Sequence, residues 1–195
     1  MHAEASGGAR PRGRPRNADL DIEIREAAWA LIADVGCEAL TFEAIAQAVG
    51  CSRSTLYRRF ATKADMVSHM LDETARSFAP QLPADAPPRA LLLAHAETCC
   101  RIYAGTRGGA LLHIAAAARR DATIARAFDA HQGLVAPHYR APLRALVPQA
   151  SEDALDFALQ TLMGSIVHHV ATRRHQLSAL EIARLVDAAV GLATG

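Results

Sequence analysis

The chain has 195 residues, 51% of them hydrophobic and 21% charged, with a formal net charge of +1. Those proportions fit one globular domain or two small units sharing a core, and they exclude a disordered, fibrous or polycationic chain. Any contact with nucleic acid must therefore come from charge clustered locally, and it is clustered: Arg10, Arg12, Arg14 and Arg16 crowd together, as do Arg53, Arg58, Arg59 and Lys63, with no acid between Gly50 and Ala64.

Residues 1–17 are mostly Gly, Pro, Ala and Arg with nothing to bury and read as a disordered basic arm. No apolar core of a signal peptide and no membrane-length apolar run follows, so a cytoplasmic chain is expected. The four cysteines, at 37, 51, 99 and 100, lack CxxC spacing and read as reduced thiols. Few aromatics and much Ala, Leu, Ile and Val favour helix. From Asp19, the residues Ile24, Ala27, Ala28, Leu31 and Val35 recur at helical spacing, and Gly36 supplies a stop. Thr41 caps a short second helix that Gly50 ends, Ser52 caps a third to about Phe60, and Thr62 with Asp65 forms a capping box for a fourth through Met66, Met70 and Phe78.

Four prolines between Ala79 and Pro88 mark a linker. Beyond it come a helix from Ala90 to Tyr103, a Gly-rich loop at 105–109, a helix to about Arg119, and one from Asp121 to Val147 that Pro137 and Pro142 must kink or split. Ser151 caps a helix with Leu155, Leu159, Leu162, Ile166 and Val170 along one side, and Ser178 with Glu181 boxes a last one carrying Leu185, Val186 and Ala189. Nothing alternates with the period of a strand. The expected fold is all-α, about nine helices: a three-helix unit with its connecting helix at 18–78 and a helical bundle at 79–195.

The informative stretch is 41–60, TFEAIAQAVGCSRSTLYRRF. Two helices crossing closely need a small residue at the contact, a turn residue tolerant of unusual dihedrals and an apolar anchor on the second helix; Ala46, Gly50 and Leu56 satisfy these at the right separations. Counting 100° per residue from Leu56 puts Phe60 on the buried side and Ser54 and Arg58 opposite, flanked by Thr55 and Tyr57. An arginine there can take the O6 and N7 edge of guanine, while hydroxyl groups suit phosphate oxygens.

On these residues the chain resembles the tetracycline-repressor (TetR) family of helix-turn-helix transcriptional regulators. The likeness rests on Ala27 and Ala28, Thr41, Ile45 and Ala46, Gly50, Thr55 to Tyr57, Phe60 and Lys63; Cys37, Cys51 and Ser54 depart from the usual pattern. Beyond Ala79 it is architectural only. The resemblance implies a DNA-binding homodimer that reads a palindrome and answers to a small molecule, most simply as a repressor. The alternatives are a ligand-independent DNA-binding regulator and a helical protein-interaction module.

The DNA-contacting residues expected are Thr41, Ser52, Arg53, Ser54, Thr55, Tyr57, Arg58 and Lys63, with Arg12, Arg14 and Arg16 of the arm, whose PRGRPR is similar to the core of an AT-hook for narrow minor grooves. Arg59 points off the polar centre, where an ion pair with an acid of the first helix competes with a DNA contact. A cavity wall of His95, Cys99, Tyr103, His113, Met163 and His168 competes with a packed core containing satisfied histidines. The stripe Leu155, Leu159, Leu162 and Ile166, with Leu185, Val186 and Ala189, is expected at a twofold interface. Neither a four-ligand metal site, nor a nucleophile with its base, nor a phosphate-cradling loop is recognisable, so no metal, no cofactor and no catalysis are expected.

Overall fold

A computed structural model describes residues 18–79, 81–83 and 85–194; the arm with Arg12, Arg14 and Arg16 lies outside the described residues. Among them are ten α-helices and no strand: α1 (Ala18–Val35), α2 (Phe42–Ala48), α3 (Arg53–Tyr57), α4 (Lys63–Ser77), α5 (Pro88–Ala104), α6 (Thr106–Ala118), α7 (Ala122–Val135), α8 (Pro137–Leu146), α9 (Glu152–Val167) and α10 (Ala179–Thr194). Their ends follow local chemistry. The hydroxyl groups of Thr41, Thr62 and Ser151 accept from the backbone N–H three residues on, and the Asp121 carboxylate accepts from Thr123 and Ile124. Ser178 and Glu181 bond each other's backbone N–H groups, a complete capping box. Gly36 (φ +86°) and Gly50 (φ +65°) stop α1 and α2 in the left-handed region that a Cβ disfavours.

The split expected at Pro137 is found, and three other expectations need correction. The segment from Asp121 is two helices, because Pro137 has no N–H to continue α7 and instead opens α8, which raises the count from nine to ten. The glycines at 105–109 do not form a loop: Gly105 alone breaks the chain and α6 starts at Thr106. Gly108 is needed inside α6, since a Cβ there would lie 2.4 Å from the Tyr103 Cα where α5 and α6 cross. The Ser52 side chain makes no backbone cap; its hydroxyl bonds those of Ser54 (2.8 Å) and Thr55 (2.9 Å), and regular α-helix ends at Tyr57. Val35 is exposed, and Ile24, Ala28, Trp29 and Ile32 form the buried side of α1.

The first three helices close over Ile45, Leu56 and Trp29. This head is joined to the rest along two seams, α1 on α6 and α4 on α7, while α5, α8, α9 and α10 pack together beyond them. A π-helical turn at His168–Thr172 ends α9.

Candidate functional site

In the head, the α2–α3 turn is tied by Cys51 N–H to Ala46 carbonyl (2.9 Å), with Ala46 buried at the crossing and Leu56 anchored beneath. The outer side of α3 therefore carries Ser52, Arg53, Ser54, Tyr57 and Arg58, all exposed, with Thr55 half-buried between them. Tyr57 is braced edge-on by Phe42 at 5.0 Å. Arg58 makes only a long bond to Thr55 (3.4 Å) and no ion pair among the described residues, and Arg53 reaches Glu43 at 3.5 Å, so both guanidinium groups remain accessible to an anion. Arg59 does tie to helix one: it pairs with Asp21 and bonds the Thr55 carbonyl (3.0 Å), fixing the angle of α3 on α1. Lys63, expected beside phosphate, instead donates to the carbonyls of Cys37 and Glu38 (3.2 Å each) and lies by Asp121 at the α6–α7 corner.

A second site lies between α5, α7, α8 and α9, a cavity of about 390 Å³. Its apolar wall is Phe78, Val135, Leu159, Met163 and Val167, and Tyr103, His131, Gln132, Tyr139, Arg140, Asp156 and Gln160 supply polar groups. Arg140 pairs with Asp156 and Glu152, and Glu152 with Arg144.

The end of α4 is latched into this wall by two buried imidazoles. His95 Nδ1 donates to the Phe78 carbonyl (3.1 Å) and His131 Nδ1 to the Leu71 carbonyl (3.0 Å), with the Phe78 ring between them at 6.1 and 5.8 Å. A carbonyl can only accept, so both histidines are neutral with the proton on Nδ1. Burial lowers His95 to about 4 and also lowers His131, each against a smaller opposing effect of its carbonyl bond. The Cys99 thiol, held protonated by burial, closes the chain by donating to His95 Nε2 (3.4 Å).

Residues 24–70 match the model of the family described as bacterial regulatory proteins, tetR family. Over these residues the chain carries the N-terminal pattern of the tetR family. Its fold is that of solved regulators: one from Pseudomonas aeruginosa PAO1 (TM-score 0.76, 18% identity, 93% of this chain and 94% of that one) and a TetR-like transcriptional regulator from Rhodococcus sp. RHA1 (0.69, 18%, 93% and 100%). A third, a transcriptional regulator from Saccharomonospora viridis, was solved in complex with choline (0.65, 18%, 88% and 95%). At such identities the likeness establishes fold alone. No curated protein matches the chain. The match over residues 24–70 supports a DNA-binding regulator, and no described helix is long and apolar enough to cross a membrane.

Of the wall expected for a tetR-family bundle, Tyr103 and Met163 line the cavity. His95 and Cys99 lie buried behind it, His95 with its ring 4.8 Å from Tyr139. His113 and His168 are elsewhere: His113 is exposed on α6 beside Gly36, and His168 is exposed on the π-helical turn. Sequence reasoning missed His131 and Tyr139. A signal existed, since His131, Val135 and Tyr139 recur at i, i+4 and i+8 and the helical torsions of Ala136 (φ −51°, ψ −41°) carry that stripe past Pro137. The stripe expected at a twofold interface is internal: Leu155, Leu159, Leu162, Ile166, Val186 and Ala189 are buried within the chain and Leu185 is half-buried.

Proposed function

We propose that this regulator is a repressor which binds a palindromic operator as a homodimer and releases it when a small molecule enters the cavity. Reading of bases falls to Arg58, with Thr41, Ser52, Arg53, Ser54, Thr55 and Tyr57 on phosphates and neighbouring edges and the arm's Arg12, Arg14 and Arg16 in the adjacent minor groove. Lys63 acts by holding the loop from which α2 starts. The observation that carries the ligand response is α4: it opens beside the head and ends in Phe78, a wall residue of the cavity whose carbonyl is held by His95. A ligand that prefers one setting of α4 shifts the head, and the usual coupling of about 1–3 kcal/mol lowers operator affinity roughly 5- to 150-fold. The choline complex of the S. viridis regulator supports a ligand-binding role for this fold.

Because the predicted stripe is internal, the dimer surface is assigned to the outer side of α9 and α10. Phe157 is 61% exposed, and Thr161, Gly164 and His168 share its face at helical spacing; Leu180, Ala188 and Gly191 do so on α10. A Cβ at Gly191 would meet nothing within 4 Å, which leaves room for a partner backbone. Twofold pairing of these faces makes a four-helix bundle.

The test is a gel-shift titration on the DNA upstream of the protein's own gene. Arg58→Ala is expected to weaken binding by about 1–3 kcal/mol and to relax preference at one base position. Equal loss on operator and random DNA would overturn the base-reading role.

A further inference from the structure

Among the described residues the cavity offers no unpaired charge. Its charged lining groups among the described residues, Arg140 and Asp156, bond each other, and with Glu152 and Arg144 they form a set of two cations and two anions. These side chains are partly exposed and satisfy one another, so a ligand charge of either sign meets no unpaired partner among them. The imidazoles behind the wall are neutral and committed by Nδ1 to backbone carbonyls.

The uncommitted polar groups are different in kind. The hydroxyl groups of Tyr103 and Tyr139 make no hydrogen bond to another described residue, and neither is sealed from solvent, so both are open to a ligand in the cavity. Burial pushes Tyr103 up to about 12 and raises Tyr139 as well, so both keep their protons. His131 Nε2, opposite its committed nitrogen, remains an acceptor. Around these groups Phe78 and Met163 supply an aromatic ring and a thioether, surfaces that favour another ring.

We propose that this cavity takes an uncharged aromatic ligand bearing a carbonyl oxygen, gripped by the hydroxyl groups of Tyr103 and Tyr139. The proposal rests on the reading of the cavity as the effector site and names the class of effector. The ring packs against Phe78, so the ligand bears directly on the residue that caps the C-terminus of α4. About 390 Å³ lies at the small end of ligand cavities, which suits one or two fused rings.

The experiment uses the full-length protein and three probes of matched size: 2-acetylnaphthalene, 2-naphthoate and trimethyl(2-naphthyl)ammonium, each titrated by calorimetry. The ketone is expected to bind most tightly, with each charged probe at least about ten-fold weaker. Tyr103→Phe and Tyr139→Phe keep the rings and should each weaken the ketone about five-fold, the loss of one neutral hydrogen bond, with the charged probes unaffected. Equal or tighter binding of a charged probe, ketone binding unaltered in both Phe variants, or no ketone binding would each overturn the proposal. A gel shift with ketone-loaded protein separates this from the effector reading. If the ketone binds through the tyrosines and operator affinity is unchanged, the ligand class stands and the switch fails.

Discussion

Replacing His95 by Leu tests whether the latch at the end of α4 holds the two halves together. His95 is 0% exposed, and its acid constant falls from 6.5 to about 4 because burial disfavours the imidazolium, with His138 of α8 adding repulsion. Facing it are the Phe78 carbonyl from α4, Cys99 on its own helix, and His138 and Tyr139 from α8; none is an anion that could offset a charge. Between the two constants the unfolded chain binds a proton that the folded chain refuses, so stability is full above about pH 6.5 and is lost as pH falls towards 4. From pH 7 to pH 5 this one group costs about 2 kcal/mol, and His131, lowered for the same reason, adds to the slope. His95→Leu leaves the Phe78 carbonyl without its donor and should cost about 1–3 kcal/mol at pH 7. It also removes the titration, so its deficit against the parent should shrink by about 2 kcal/mol by pH 5. Urea unfolding at pH 7, 6 and 5 reads both quantities. Parallel stability curves for parent and variant would refute the latch.

Gly108→Ala forces a Cβ against the Tyr103 backbone at 2.4 Å and should destabilise by about 1–3 kcal/mol, read from the urea midpoint; an unchanged midpoint would mean that the α5–α6 corner is not rigid. Phe157→Glu is expected to yield folded monomers by light scattering, whereas Ile166→Glu, at a position with 0% exposure, should fail to fold; a persistent Phe157→Glu dimer moves the interface elsewhere.

What was legible in the sequence was what short-range chemistry decides. Thr41, Thr62, Asp121, Ser151 and the Ser178–Glu181 pair bond groups two or three residues away, so a local reading finds them. The head was legible for a related reason: Ala46, Gly50 and Leu56 lie within eleven positions and constrain one another directly. The cavity was not, because His131 bonds Leu71 across 60 positions and Phe78 meets His95 across 17. Helical spacing says which residues share a face, never which other face it meets. That ambiguity put His113 and His168 with His95 in the expected wall, and it sent the α9 stripe to a twofold axis when α5 and α10 of the same chain already cover it.

The α4–α7 seam, which must yield for a ligand to move the head, contains a flaw that keeps it adjustable. Thr74 lies on α4 one turn before Phe78, 1% exposed, and its hydroxyl group is the buried side-chain polar atom without a hydrogen bond among the described residues. An orphaned hydroxyl costs about 1–3 kcal/mol, comparable with the coupling free energy that a ligand must supply. The seam is thus less stable than its apolar packing and the His131 bond would make it, and any setting of α4 that hydrates Thr74 or lets it reach a carbonyl recovers that cost. Val has the shape of Thr without the hydroxyl. Thr74→Val should therefore raise the urea midpoint by the equivalent of about 1–2 kcal/mol and bias α4 towards the setting described here. A Thr74→Val protein less stable than its parent would show that the hydroxyl is satisfied in solution, and that the seam holds no such reserve.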